Sequence, residues 1–395
     1  MNRLIPNIFS ITFLFILILL PYHIGLLDPT KLPAALLFNY SANTIKNCFD
    51  QKLVVDSNRP LTVVHIGDSH VQAGIFSRTL KRILARKFHS EYVSPGMVFP
   101  YSVMGSNNPV EYTSYYTGCW EYQRVNGANV PIDAGIFGAV VSTADSLATL
   151  TFKVKADTPF KTQFNRVGVL YRSTSPAFFP ILIEPQNAKS ILYEDVMEFE
   201  LESEVDSIII GFKAKKDYKC NVYGVNLWNT KSKFSLCSVG LNGATVHGFL
   251  FAKQFLSNFQ YVKPHVVVVS LGTNDAYSNI FDSLKFSVDL DNLVGTIKSV
   301  LPKSLIMLTT PNDHLINRKN ENNKVQVASN VIMEISTKHQ IPVWDFYSLM
   351  GGKGSIHRWI RHGFAASDGI HLSARGYQFQ GELFYQALYN SGFIE

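Results

Sequence analysis

The chain has 395 residues, of which 46% are hydrophobic and 17% charged, with a formal net charge of +6. At ~150 residues per domain that is two domains or one large one, and the apolar content excludes global disorder. The positive charge is spread thinly and no basic run is present, so nucleic acid is not an expected partner.

The chain opens on an uncharged stretch. Residues 4–27 carry no Asp, Glu, Lys or Arg, Ile8–Leu20 is apolar apart from Ser10 and Thr12, and Arg3 precedes the run. A positive start before an apolar core is the layout of an export signal or signal anchor. Arg3 on the inside leaves the rest of the chain outside the cytoplasm, periplasmic or membrane-anchored and facing outward. No small-residue cleavage site is obvious after Leu20, and continued to Leu27 the run approaches the ~20 residues of a bilayer span. Cleavage and anchoring both stay open, and membrane contact is expected through this segment alone.

Leu61–Ile66 (LTVVHI) reads as a strand that stops at Gly67. Val71–Phe88 reads as a helix, with Leu80, Ile83, Leu84 and Phe88 at helical spacing. From about Pro95 to Lys233 helical periodicity is hard to find. Short β-type runs replace it: Ala139–Ser142, Ser146–Val154, Arg166–Tyr171, Phe179–Ile183, Val196–Leu201, Ser207–Phe212 and Asn221–Trp228. Closely spaced strands of this kind predict a β-sandwich or jelly roll. Val266–Leu271 (VVVVSL) then reads as a strand buried on both faces of a parallel sheet. A helix around Leu284–Val300, a strand at Leu305–Thr309, a helix around Lys324–Lys338, a strand at Ile341–Phe346 and a helix over Ala374–Tyr389 follow. Strands alternating with helices predict an α/β domain with a mostly parallel sheet. The expected organisation is a signal or anchor over 1–27, an α/β domain over 28–94 and 234–395, and an all-β insert over 95–233. The four cysteines, Cys48, Cys119, Cys220 and Cys237, form no C-x-x-C pair. Disulfides and buried free thiols are equally compatible with them.

Three polar segments fall at predicted carboxyl ends of strands in the α/β part: Gly67-Asp68-Ser69-His70, Gly272-Thr273-Asn274-Asp275 and Asp368-Gly369-Ile370-His371. Ligands of open α/β sheets bind in the crevice beyond those ends. Ser69 needs a base to become a nucleophile, and His371 is the candidate. Asp368, three residues before it, can fix the imidazole tautomer and stabilise the imidazolium. Acyl transfer also needs donors for an oxyanion. The Ser69 N–H at a helix start, the Asn274 amide and a glycine N–H within Ser238–Ala244 are candidates. Singly, each segment reads as a turn or a helix cap. Their conjunction, in this order and each at its own strand end, points to chemistry.

These segments resemble the blocks of the SGNH (GDSL-like) hydrolase superfamily. The resemblance implies Ser69 as nucleophile, Gly243 as the oxyanion glycine with Gly240 as runner-up, Asn274 as oxyanion donor, and Asp368 and His371 completing the set. His70 stands where the name-giving form has Leu. The implied fold is a flavodoxin-like three-layer α/β/α domain, with no metal and no cofactor. A domain of this kind split by a β-rich module resembles the bacterial peptidoglycan O-acetylesterases of the periplasm, whose insert is carbohydrate-binding-module-like. The implied activity is a serine esterase that removes O-acetyl groups from a cell-envelope glycan, with the acetylated glycan as partner. An esterase or O-acyltransferase on another polysaccharide or lipid is the first rival. A non-catalytic glycan-binding envelope protein is the second.

Other residues carry less weight. Asp275 reads as an anchor of the Asn274 loop. Asp313 and His314 line the crevice or sit in a plain loop. His357, Arg358, Arg361 and His362 form a basic segment, either solvated or facing an anionic part of a substrate. Tyr112, Tyr115, Tyr116, Trp120 and Tyr122 form either an aromatic β core or a sugar-stacking face.

Overall fold

The computed structural model describes residues 43–47, 59–127, 130–213 and 218–394. The run read as an export signal or anchor, and Cys48, lie outside the described residues. Among the described residues no helix is long and apolar enough to cross a membrane.

Five parallel strands form the sheet of the α/β domain. They are β1 (Leu61–Gly67), β2 (Phe234–Gly240), β3 (Val266–Ser270), β4 (Leu305–Thr309) and β5 (Val343–Trp344). Their spatial order is 2-1-3-4-5, the flavodoxin-like order. Alternation along β3 sorts its valines between two cores. Val267 and Val269 pack with Leu290, Val294 and Ala328 of the helices Ser283–Val300 and Lys324–His339. Val266 and Val268 pack with Leu80, Leu84, Leu383 and Phe384 of the helices Ile75–Lys87 and Ala374–Asn390. Helices on both faces of a parallel sheet give the three-layer α/β/α arrangement.

Two predicted elements change in detail. The helix expected over Val71–Phe88 is two helices, Ser69–Gln72 and Ile75–Lys87. Gly74 breaks it with φ of 75°, and the Val110 N–H of the insert donates to the Ala73 carbonyl at 3.2 Å. The strand expected over Ile341–Phe346 shortens to Val343–Trp344, the outermost strand of its sheet.

Between the helix Ile75–Lys87 and β2 lie two antiparallel sheets. One has seven strands, with Cys220–Trp228, Phe164–Ser173 and Val196–Val205 at its centre. The other has four, Tyr112–Thr117, Thr149–Val154, Ser207–Lys213 and Phe179–Glu184. Gly96–Val98, Tyr112–Thr117, Glu121–Arg124 and Ala188–Tyr193 are strands that the apolar pattern did not announce. Glu121–Arg124 is exposed throughout and Ala188–Tyr193 largely so, so neither needs alternation to fold.

The insert and the α/β domain share a core. Phe137, Phe152, Phe164 and Val222 of the insert belong to one buried cluster with Val64 and Ile66 of β1. Gly96 lies so close to β2 that a Cβ there would sit 2.9 Å from the Leu236 carbonyl oxygen. The Tyr101 hydroxyl donates to the Gly240 carbonyl at the end of β2. The insert thus covers the exposed edge of the parallel sheet.

The early aromatic cluster divides. Tyr112 is buried, and its hydroxyl pairs with both the N–H and the carbonyl of Phe99 at 2.8 and 3.1 Å. Tyr115, Tyr116 and Tyr122 are exposed. Among the described cysteines, Cys119 is exposed, Cys220 and Cys237 are buried, and all three are free thiols.

Candidate active site

Ser69 stands where β1 ends. The turn is tight: a Cβ on Gly67 would meet Val71 Cγ2 at 2.2 Å and the Ser270 carbonyl at 2.9 Å. Asp68 caps the short helix that follows, accepting the His70 N–H at 2.9 Å. Ser69 is the first residue of that helix, so its N–H has no intrahelical partner. The location is the switch point of the sheet, where connections leave β1 and β3 in opposite directions.

His371 and Asp368 arrive from the loop before the last helix. Ser69 Oγ is 2.9 Å from His371 Nε2, and His371 Nδ1 is 2.7 Å from Asp368 Oδ2. The other Asp368 oxygen accepts the N–H groups of Ile370 at 2.8 Å and His371 at 3.0 Å. Burial acts to raise the pKa of this carboxyl. The Ile370 N–H and the His371 ring outweigh it and hold Asp368 below the usual carboxylate range. The carboxylate is therefore ionised and can orient an imidazolium.

A cleft of about 610 Å³ opens over Ser69 and His371. Gly243, Asn274, Asn107 and Asn242 are among the side chains and backbone that line it, with Tyr277 and Tyr377. Gly243 has φ of 77°, a conformation that suits glycine. Gly240 plays another part: a Cβ there would collide with the Gln72 backbone nitrogen at 2.1 Å. It lets the Ser69 helix pack on β2 and does not line the cleft. Asn274 Nδ2 donates to the Ala244 carbonyl at 2.9 Å and lies 3.4 Å from Asp68 Oδ2. Among the described residues, no lysine or arginine lines the cleft.

His70 does more than replace an apolar residue. Its Nδ1 is 2.9 Å from the Tyr377 hydroxyl, and its ring lies 5.2 Å from the His371 ring. Burial pushes its pKa down to about 3, so it backs His371 as a neutral imidazole. Asp275 accepts the Val246 N–H at 3.2 Å and so ties the Asn274 loop to the helix after Gly243. Burial pushes its pKa up to about 7.

Six further residues lie outside the cleft lining. Asp313 is buried and accepts the Ile356 N–H at 3.0 Å, at the start of the helix Ser355–Arg361. His314 is buried between the Asn312 carbonyl and Asn322. His357, Arg358 and Arg361 lie on that helix and His362 at its end, none of them in the cleft lining. Among the described residues, no group of three or more His, Cys, Asp or Glu side chains is placed to hold a metal ion.

Gln72, Asn107, Asn108, Asn126, Tyr277 and Tyr377 were not singled out from the sequence. Tyr377 sits one turn into a helix read correctly, six residues after His371, and that offset was a usable signal. Asn107 and Asn126 carry none, because only the folding of the insert brings them here.

Comparison with known proteins agrees with this layout. Residues 206–379 match the family model of the GDSL-like lipase/acylhydrolases. A solved peptidoglycan O-acetylesterase superposes with a TM-score of 0.70 at 19% identity, over 85% of this chain and 92% of its own. The α/β domain resembles the GDSL-like hydrolases in sequence over the matched residues, and the chain shares the fold of the esterase. The extent of that superposition is more than this domain alone supplies, so the fold of the insert is shared as well. A lipase/acylhydrolase from Enterococcus faecalis is 24% identical over 40% of this chain and 76% of its own, with a TM-score of 0.32. An acetyl xylan esterase is 17% identical over 40% and 82%, with a TM-score of 0.33. No curated protein matches the chain significantly. The family match begins inside the insert and does not reach Ser69. The hydrogen bond to His371 brings the serine to the site across 302 residues of sequence.

Proposed function

We propose that this chain is an exported serine esterase that removes O-acetyl groups from a cell-envelope glycan, peptidoglycan before others. The observation that carries the reading is the Ser69–His371–Asp368 relay at the floor of a cleft lined by neutral amides. Amide side chains both donate to and accept from sugar hydroxyls and N-acetyl groups. The long superposition with a peptidoglycan O-acetylesterase supports the choice of glycan. The uncharged N-terminal run supports export to where such a polymer lies.

In the proposed reaction Ser69 Oγ attacks the acetyl carbonyl as its proton passes to His371 Nε2. Asp368 steadies the imidazolium. The N–H groups of Ser69 and Gly243 and the Asn274 amide hold the oxyanion. His371 returns the proton to the departing sugar oxygen, leaving an acetyl ester on Ser69. Water then attacks that ester, with His371 again as base, and acetate leaves.

The test is acetate release from purified O-acetylated peptidoglycan by the full chain and by Ser69→Ala. Release by the first and loss in the second is expected. Equal rates sink the serine mechanism. Binding of the polymer without release leaves the non-catalytic rival, and acetate moving onto the glycan instead identifies a transferase.

A further inference from the structure

The peptide between Asn242 and Gly243 carries the N–H assigned above to the oxyanion. In a planar trans peptide the carbonyl and the N–H point in opposite directions. Whatever holds the Asn242 carbonyl therefore aims the Gly243 N–H. That holder is Asn126, whose Nδ2 donates to the Asn242 carbonyl oxygen. Asn126 belongs to the insert, just past the strand Glu121–Arg124, and is 116 residues away in sequence. Its amide has one sensible orientation here, since its own oxygen turned toward a carbonyl would repel it.

The lock has a reason to exist. Glycine at 243 accepts both peptide orientations at little cost. In the flipped orientation the Asn242 carbonyl would face the oxyanion and repel it. Asn126 also fills the space beside Gly243, with Nδ2 only 2.7 Å from where a Cβ would stand. The other side of the loop is held by Gln72, whose Oε1 accepts the Asn242 N–H at 2.7 Å. Gln72 Nε2 in turn donates to Ser106 Oγ at 2.9 Å and the Asn107 carbonyl at 2.8 Å, both in the insert.

Resting on the esterase reading, we propose that Asn126 is a positioning residue that locks the Asn242–Gly243 peptide with its N–H toward the oxyanion. The insert thereby completes the oxyanion hole, besides forming a wall of the cleft.

The test compares Asn126→Ala and Asn126→Asp with Glu121→Ala, an exposed control on the preceding strand. On p-nitrophenyl acetate, kcat of Asn126→Ala should fall by between tenfold and the ~10²–10³ of a lost donor, with KM unchanged. Asn126→Asp should fall further, because a carboxylate repels the Asn242 carbonyl. Affinity for a boronic acid should fall by the same factor as kcat. Its adduct forms when Ser69 Oγ adds to boron and passes its proton to His371, which sets a boron oxygen in the hole. A purely structural role would move stability without this match. The second readout is the Gly243 amide resonance of protein labelled with ¹⁵N-glycine. It should shift in both Asn126 variants and stay in place in Glu121→Ala. An unshifted resonance overturns the lock whatever the turnover. Equal turnover of the unmodified chain and Ser69→Ala overturns the esterase reading instead, and the resonance still decides the lock.

Discussion

The α/β domain and the β insert share a core but place their buried polar groups differently. In the α/β domain four buried ionisable side chains, His65, Asp68, Asp313 and His314, lie toward the carboxyl ends of the strands, while Lys81, His265 and Asp289 are buried elsewhere. In the insert they are sparse, and Asp157 is tied to Arg78 and Arg82 at 2.7 Å from each. Parallel strands deliver several loops to one end of a sheet, so reactive groups can be collected there. Antiparallel hairpins spread their loops over both ends of a sheet and leave rigid walls. The difference assigns the chemistry to one region and the shape of the site to the other. Substitutions can break that assignment.

The largest effect is expected at His371. His371→Ala removes the proposed base, and kcat should fall by ~10⁴–10⁶. Its side chain is only partly buried, so the melting temperature should barely move. Steady-state kinetics beside thermal unfolding checks both. Unaltered turnover would mean that another group is the base. Next comes Asn274→Ala, which deletes a proposed oxyanion donor and should lower kcat by ~10²–10³ with KM nearly constant. A rise in KM alone would reassign Asn274 to ground-state binding.

Within the insert, away from Asn126, the expectation reverses. Tyr112→Phe leaves the buried N–H and carbonyl of Phe99 without their side-chain partner. That should cost ~1–3 kcal/mol of stability. Turnover per folded molecule should stay the same, measured as kcat against active-site titration alongside denaturant unfolding. A loss of kcat at constant stability in Tyr112→Phe would extend the insert's part in turnover beyond Asn126.

The legibility of the chain follows the same division. Ser69, Asn274, Asp368 and His371 could be read because each sits in a short motif at a strand end. Strand ends show in local apolar runs such as Val266–Ser270. Gly243 could be separated from Gly240 only by burial: one lines the cleft and the other packs on a helix. The break at Gly74 was hidden because the helical spacing on both sides stays in register. Glu121–Arg124 was invisible because a fully exposed edge strand buries nothing that would enforce alternation. Asn126 and Gln72 were missed for a stronger reason. Their partners lie 116 and 170 residues away, and no local pattern encodes such a pairing.

The smallest effect concerns protons, because two sets of buried groups oppose each other. Burial pushes Asp68 and Asp313 up to about 6 and Asp275 to about 7. Each carboxyl is more protonated in the folded than in the unfolded chain between its ordinary value and these. Its stabilising share is complete below pH ~4 and lost as pH rises through the folded value. Burial also pushes His65 and His70 down to about 3 and His314 to about 4. Each imidazole is neutral when folded and protonated when unfolded between those values and ~6.5. Its share is present above that window and lost as pH falls through it. Three groups pull each way, so the melting temperature of the chain should vary little between pH 4 and 6. Removing one side of the balance reveals the other. Asp275→Asn should make stability climb with pH across this range, and His65→Gln should make it decline. All six groups lie in the α/β domain, so substituting the insert's Tyr223, whose hydroxyl burial keeps protonated, should leave the slope alone. Parallel curves for all the variants would mean that these groups do not stay desolvated in the folded chain.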